Sequence, residues 1–320
     1  MSLSIDFIIL FFSLIFLILA ASKMVDSAIF ISKIISIPKS IIGATIIAYG
    51  TSSPEILVSL QATLNNETGI AIGNVVGSNI ANVCVGMGLI CFFGKKDKLE
   101  IRPLYSTSLF FLILATLYAM IATYNNYVSH TEGLVLIGIL VSVNVLLIKQ
   151  AKNDDGRENK NNTMQVYGLK TSSLMIGILV LVLSIIGLIL SASQVVFSSI
   201  AIAAAMDIEA SFIGFSIIAV GTSLPEIIVS LTAIKKGEPS IAIGNIIGSN
   251  TFNILGVIGI PALINGMVIN IDDMNTQLIF LFISTIFVLS PFIIKSTNKF
   301  LGSILIIFYI FSLYFFAMSS

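Results

Sequence analysis

Runs of about twenty apolar residues, separated by short polar stretches, recur along the whole 320-residue chain. A helix needs roughly 20 such residues to cross about 30 Å of hydrocarbon. Runs of that length predict helices near 5–32, 41–64, 70–93, 103–123 and 131–149, and again near 172–205, 212–234, 241–265, 276–294 and 300–318. The expected fold is therefore an all-α polytopic membrane protein with ten transmembrane helices, five in each half. The first run has no cationic leader and no small-residue cleavage site, so it is read as a retained span. Asn153-Asp154-Asp155-Gly156-Arg157-Glu158-Asn159-Lys160-Asn161-Asn162 is the one extended polar stretch. It divides the chain into a first unit, 1–150, a flexible cytoplasmic linker, 151–170, and a second unit, 171–320.

The cations test this segmentation independently. Lys33 and Lys39, Lys95 to Arg102, Lys149 to Lys170, Lys235 and Lys236, and Lys295 and Lys299 all fall in alternate loops; only Lys23 lies within a span. Short loops rich in lysine and arginine stay in the cytoplasm, which puts both termini outside and makes the plasma membrane the expected location. Five helices per half then give the halves opposite orientations, an inverted-topology repeat. The outer loops carry Asp6, Glu67, Glu132, Asp207, Glu209, Asp272 and Asp273. Such a rim could concentrate cations, or could simply be solvated loop residues left by the positive-inside bias.

Polar positions inside the apolar runs are few, and they occur twice. Gly43-Ala44-Thr45-Ile46-Ile47-Ala48-Tyr49-Gly50-Thr51-Ser52-Ser53-Pro54-Glu55 aligns with Gly214 to Glu226 at a constant offset of 171 residues. The same offset places Gly73-Asn74 on Gly244-Asn245, Gly77-Ser78-Asn79 on Gly248-Ser249-Asn250, and Asn82 on Asn253. A buried acid in a membrane span points to function, and its repetition reinforces the reading. Pro54 and Pro225 have no N–H and crowd the carbonyl four residues back, so each helix should break after Gly50 or Gly221. The breaks are expected to loosen carbonyls near Ala48 and Thr51, and near Ala219 and Thr222. Glu55 and Glu226 then start the following half-helices, with Thr51 and Thr222 one turn back on the same face. Asn74, Ser78 and Asn82, like Asn245, Ser249 and Asn253, make a polar stripe at four-residue spacing. Gly73, Gly77, Gly244 and Gly248 permit close helix contact beside it.

Composition narrows the chemistry. Hydrophobic residues make up 57% and charged residues 10% of the chain, with mean hydropathy +1.06, far from a soluble domain. Zero net charge and the lack of a basic face exclude nucleic acid as a partner. No phosphate-binding loop exists for ATP, and no nucleophile–base pair or histidine cluster lies within a span for an intramembrane enzyme. Cys84 and Cys91 read as buried free thiols, and His130 as a solvated loop residue. Two carboxylates among hydroxyls, amides and carbonyls form a hard-oxygen set that suits and neutralises one Ca2+. A passive channel, normally built as a ring of subunits, fits two inverted halves poorly.

At these motifs the chain resembles the calcium/cation antiporter superfamily, in particular its sodium/calcium exchanger branch of the prokaryotic type. The resemblance rests on Gly50-Thr51-Ser52-Ser53-Pro54-Glu55 with Gly73-Asn74-Val75-Val76-Gly77-Ser78, and on their second copies. It implies Na+/Ca2+ antiport by alternating access, without cofactor or ATP, in a monomer within the lipid bilayer. Ca2+ would be held by Glu55, Glu226 and the carbonyls of Thr51 and Thr222. Na+ would use Ala48, Thr51, Ser52 and Ser78 from one half and Ala219, Thr222, Ser223 and Ser249 from the other, with Asn82 at the centre. The family commonly carries an aspartate where this chain has Asn253, so H+/Ca2+ antiport on the same scaffold is the alternative.

Overall fold

The structure is a computed structural model that describes residues 3–94, 103–153, 164–166, 169–171, 173–206, 219–269, 275–294 and 298–319. The apolar runs are helical. The first half comprises α1 (Leu3–Ile35), α2 (Lys39–Ile42), a π-helical turn π1 (Gly43–Ile47), α3 (Ala48–Thr51), α4 (Ser53–Leu64), α5 (Thr68–Ala81), π2 (Asn82–Met87), α6 (Gly88–Phe93), α7 (Pro103–Tyr124) and α8 (His130–Asn153). The second comprises α9 (Leu174–Ala205), α10 (Ala219–Thr222), α11 (Leu224–Lys235), α12 (Pro239–Phe252), π3 (Asn253–Val257), α13 (Gly259–Asn265), α14 (Asn275–Phe287), α15 (Ser290–Ile294) and α16 (Lys299–Ser319).

Among the described residues seven helical stretches are long and apolar enough to cross a membrane, or eight if 39–51 and 53–64 count as one bent span. Two of the ten expected spans fall short of that measure. One is the shorter apolar helix 106–122, and the other begins in 207–218, outside the described residues. Most of the expected linker, Lys95 to Arg102 and the acidic positions 207, 209, 272 and 273 also lie outside them.

The core is made of α5 and α12 with their π turns; Ile72, Val75, Ile80, Ile243, Ile246 and Ile254 are buried there. Close approach is possible because glycine lines the contact. A Cβ on Gly43 would stand 2.6 Å from the Ile241 carbonyl oxygen, and one on Gly248 would collide with the Ala44 backbone. Gly73 does not play that role: no atom lies within 4 Å of where its Cβ would be. The long helices α1 and α9 pack along each other outside this core. Their outward faces present Phe7, Phe11, Phe16, Leu179, Leu183 and Leu190, as a lipid-facing surface should.

Polar links close the two ends. At one end Lys39 pairs with Glu238 at 3.0 Å, and Lys236 pairs with Asp26 at 2.5 Å. At the other, a two-residue strand β1 (Tyr127–Val128) pairs antiparallel with Met267–Val268, and Asn265 Nδ2 donates to the Thr63 carbonyl at 3.1 Å. His130 is exposed, as expected, and its Nδ1 lies 2.9 Å from the Leu263 carbonyl. Two of the rim acids have structural surroundings. Glu132 closes a reciprocal cap with Ser129, accepting from its N–H and hydroxyl at 2.7 Å each, and Asp6 is buried on α1. Glu67 is exposed as expected, and Cys84 and Cys91 are buried free thiols.

Candidate functional site

Both helix breaks form where proline dictates. Ser52 leaves helical geometry at φ −84°, ψ 10°, between α3 and α4, and the two segments are bent by 45°. Ser223 stands at the matching interruption between α10 and α11, at φ −84°, ψ −1°, at the edge of the helical region. Pro54 and Pro225 occupy the first turns of the new helices, where a missing N–H costs least. Glu55 and Glu226 follow immediately and are fully buried.

The loosened carbonyls are fewer than expected. Ala48 keeps its helical partner, since the Ser52 N–H donates to its carbonyl at 3.0 Å. Proline at 54 removes only the donor that Gly50 would have used, and Ser52 still has its own. The Ala48 carbonyl instead becomes crowded, also facing the hydroxyls of Thr51 at 3.1 Å and Ser249 at 3.4 Å. Thr51 does not turn to Glu55 along its own helix. Its hydroxyl reaches across to Asn245 Oδ1 at 3.3 Å and Ser249 Oγ at 3.4 Å.

These cross-contacts occur in pairs related by exchanging the two repeats. Thr51 meets Ser249, and Thr222 meets Ser78 at 3.2 Å. Asn79 Nδ2 donates to the Asn250 carbonyl at 3.2 Å, and Asn250 Nδ2 donates to that of Asn79 at 3.3 Å. Asn74 Nδ2 donates to the Glu55 carbonyl and to Ser59 Oγ, at 3.2 and 3.0 Å. Asn245 treats Glu226 and Ser230 alike, at 3.1 and 3.0 Å. Asn74 and Asn245 thus clamp the carboxylate-bearing helices of their own repeats, and Asn245 also faces Thr51 of the other repeat. Their side chains position Glu55 and Glu226 from behind.

The carboxylates themselves come together. Ser52, from the first break, donates to Glu226 Oε1 at 2.7 Å, so the second repeat's acid reaches into the first repeat. Glu55 and Glu226 are within electrostatic reach of each other. Among the described residues, both Glu55 oxygens and Glu226 Oε2 are buried without a hydrogen-bond partner, as are both polar atoms of Asn82 and the Oδ1 of Asn253. Buried polar groups are seldom left so. Ser78, Ser223 and Ser249 are buried at the same junction, and Ala219 opens α10. Among the described residues no group of three or more His, Cys, Asp or Glu exists. The available donors are carboxylate, hydroxyl, amide and carbonyl oxygens, which favour hard cations.

Two features escaped the sequence reading. Asn82 and Asn253 each begin a π-helical turn, a device frequent at functional sites. The glycines four and three residues on, Gly86 and Gly256, are the available signal. The second is the Asn79–Asn250 pair, whose identity in the two copies was visible but whose partnership was not.

The family described as "Sodium/calcium exchanger protein" matches residues 5–149 and 176–318. The inner membrane protein YrbG of Escherichia coli is 30% identical over 269 residues, 80% of this chain and 79% of that protein. The sodium/calcium exchanger MaX1 of Methanosarcina acetivorans is 31% identical over 293 residues, covering 81% and 83%. A solved structure of the sodium-calcium exchanger NCX_Mj, soaked with 10 mM Na+ and zero Ca2+, superposes with a TM-score of 0.82 at 27% identity, covering 98% of this chain and 99% of that one. Apolar helices, paired buried acids and these matches converge: the chain is an integral membrane protein that belongs to the sodium/calcium exchanger family, whose members are cation/Ca2+ antiporters rather than enzymes.

Proposed function

We propose that this protein exchanges Na+ for Ca2+ by alternating access. One Ca2+ is held by the Glu55 and Glu226 carboxylates and the carbonyls of Thr51 and Thr222. Na+ ions are held in turn by Ala48, Thr51, Ser52 and Ser78 with Ala219, Thr222, Ser223 and Ser249, while Asn82 and Asn253 line the centre. The observation that carries this reading is the junction of two buried acids, one from each repeat, with three of their four oxygens lacking a hydrogen-bond partner among the described residues. Buried charges of one sign need compensation, and a hard cation supplies it.

The repeat-exchanged contacts support an inverted relation of the two halves; we further take the chain as ten spans, divided as 1–150, 151–170 and 171–320, with both termini outside by the distribution of lysine and arginine, and a monomer as the working unit. Exchange rather than leak follows from electrostatics. An empty pocket leaves two close anions unpaired, and that state resists crossing. Of the long pair α1 and α9, α9 lies against both breaks: a Cβ on Gly50 would meet Ile185 at 2.8 Å, and Gly221 lies against Val196. This pair is the element that slides.

Purified protein in proteoliposomes is tested for Ca2+ uptake under an outward Na+ gradient, then under a pH gradient without Na+. Uptake is expected in the first condition only. Uptake confined to the second would replace Na+ by H+ as the driving ion.

A further inference from the structure

Asn79 is not among the ion ligands proposed above. It follows Ser78 on α5 and is 1% exposed. Its carboxamide sits between the backbone carbonyl of Asn250, 3.2 Å from its Nδ2, and the side chain of Asn253, whose Nδ2 lies 3.0 Å from Asn79 Oδ1. The directions of these bonds are fixed by elementary chemistry. A carbonyl oxygen only accepts, so the end of Asn79 facing Asn250 must be its NH2. The other end of a planar carboxamide is then its oxygen, which also only accepts. The end of Asn253 facing it must therefore be NH2, and the Asn253 oxygen is turned away from Asn79. That oxygen is buried and has no hydrogen-bond partner among the described residues.

We propose that Asn79 is a positioning residue for ion binding: through the relay from the Asn250 carbonyl it fixes the Asn253 carboxamide with its oxygen presented to the transported cation. The inference rests on the site assignment proposed above. With the relay intact, position 253 offers a neutral oxygen ligand. With it broken, the amide can rotate and present N–H protons that repel a cation. Partners that orient a ligand are worth nearly as much to a metal site as the ligands.

The second repeat contains a built-in control. Asn250 returns the contact by donating to the Asn79 carbonyl at 3.3 Å, but its Oδ1 and both polar atoms of Asn82 have no partner. Asn250→Leu thus removes an inter-repeat hydrogen bond equivalent to the one Asn79→Leu removes, and leaves the relay to Asn253 in place.

The experiment measures half-saturation by Ca2+ in two ways on the full-length protein: exchange in proteoliposomes, and Ca2+-induced thermal stabilisation in detergent. Asn79→Leu is expected to raise both about 10-fold or more, within the range seen for partners of metal ligands. In an Asn253→Leu background Asn79→Leu should add nothing, the signature of one residue acting through another. Asn79→Ser, which is too short to reach Asn253, should follow the leucine variant and replaces it if that protein fails to fold. Equal shifts from Asn79→Leu and Asn250→Leu, or additivity with Asn253→Leu, would overturn the relay. Should Glu55→Gln and Glu226→Gln both retain Ca2+-induced stabilisation, the site assignment itself fails; if they lose it while the cycle is additive, only the relay does.

Discussion

Glu55 and Glu226 occupy the same place in two copies of one motif, yet the molecule holds them differently. Glu226 accepts a hydrogen bond from Ser52 at 2.7 Å, whereas Glu55 has the Ser78 hydroxyl near it without a well-formed hydrogen bond among the described residues. The serine that would match, Ser223, lies 3.5 Å from the Ser78 carbonyl instead. Asn253 is tied to Asn79 and Asn82 is tied to nothing described. Since these residues are identical in the two copies, their own side-chain types cannot produce the difference. It comes from how the two repeats are seated against each other, and a machine that alternates between two seatings would show this imbalance in either one. The asymmetry is therefore informative about mechanism in a way that the motif alone is not.

The strongest way to break the comparison is to neutralise each acid in turn. Removing one member of a buried charge set costs on the order of 3–5 kcal/mol, so Glu55→Gln and Glu226→Gln should each weaken Ca2+ half-saturation at least about 100-fold in vesicle uptake; near-normal transport by either refutes the pairing. The glycine contact comes next. Gly248→Ala forces a methyl into the Ala44 backbone and should lower stability by about 1–3 kcal/mol, read as a drop in melting temperature in detergent.

The serines sharpen the comparison more finely. A hydrogen bond to a charged group is worth about 1.5–3 kcal/mol, so Ser52→Ala should weaken Ca2+ half-saturation about 10-fold in one transport direction. Ser223→Ala should do markedly less in that same direction, and equal effects would mean that the imbalance has no functional weight. The smallest effect is expected at Gly138, exposed on α8 with nothing within 4 Å of a new Cβ. Gly138→Ala should raise stability by about 0.5–1 kcal/mol through helix propensity alone, with uptake unchanged.

Much of this was legible in the chain. Proline at 54 and 225 announced the breaks, because a residue without an N–H cannot continue a helix, and both occur at the residue before the new helix starts. The acids were conspicuous for the same kind of reason: nothing but function retains a repeated glutamate in an apolar run. Asn74 and Asn245 were less well read. Four-residue spacing put them on one face with Ser78 and Ser249, but spacing says only which side of a helix a residue occupies. It does not say that Glu55 and Glu226 would offer their backbone carbonyls to those amides. Glu132 misled in a similar way, since a carboxylate three residues after Ser129 is as good a helix cap as a rim charge.

The sequence by itself determined the apolar spans, the two related halves, the places where helices must break and the oxygen-rich character of the site. These depend on hydropathy, on proline stereochemistry and on side-chain type, which are properties of residues and their near neighbours. Only the tertiary structure decided that Ser52 serves the other repeat's acid, that Asn79 and Asn250 grip each other across the centre, and that Glu226 accepts a serine hydrogen bond its buried twin lacks among the described residues. Those outcomes belong to pairs of residues about 170 positions apart. No local rule reaches that far, because which hydroxyl finds which carboxylate is set by the packing of whole helices.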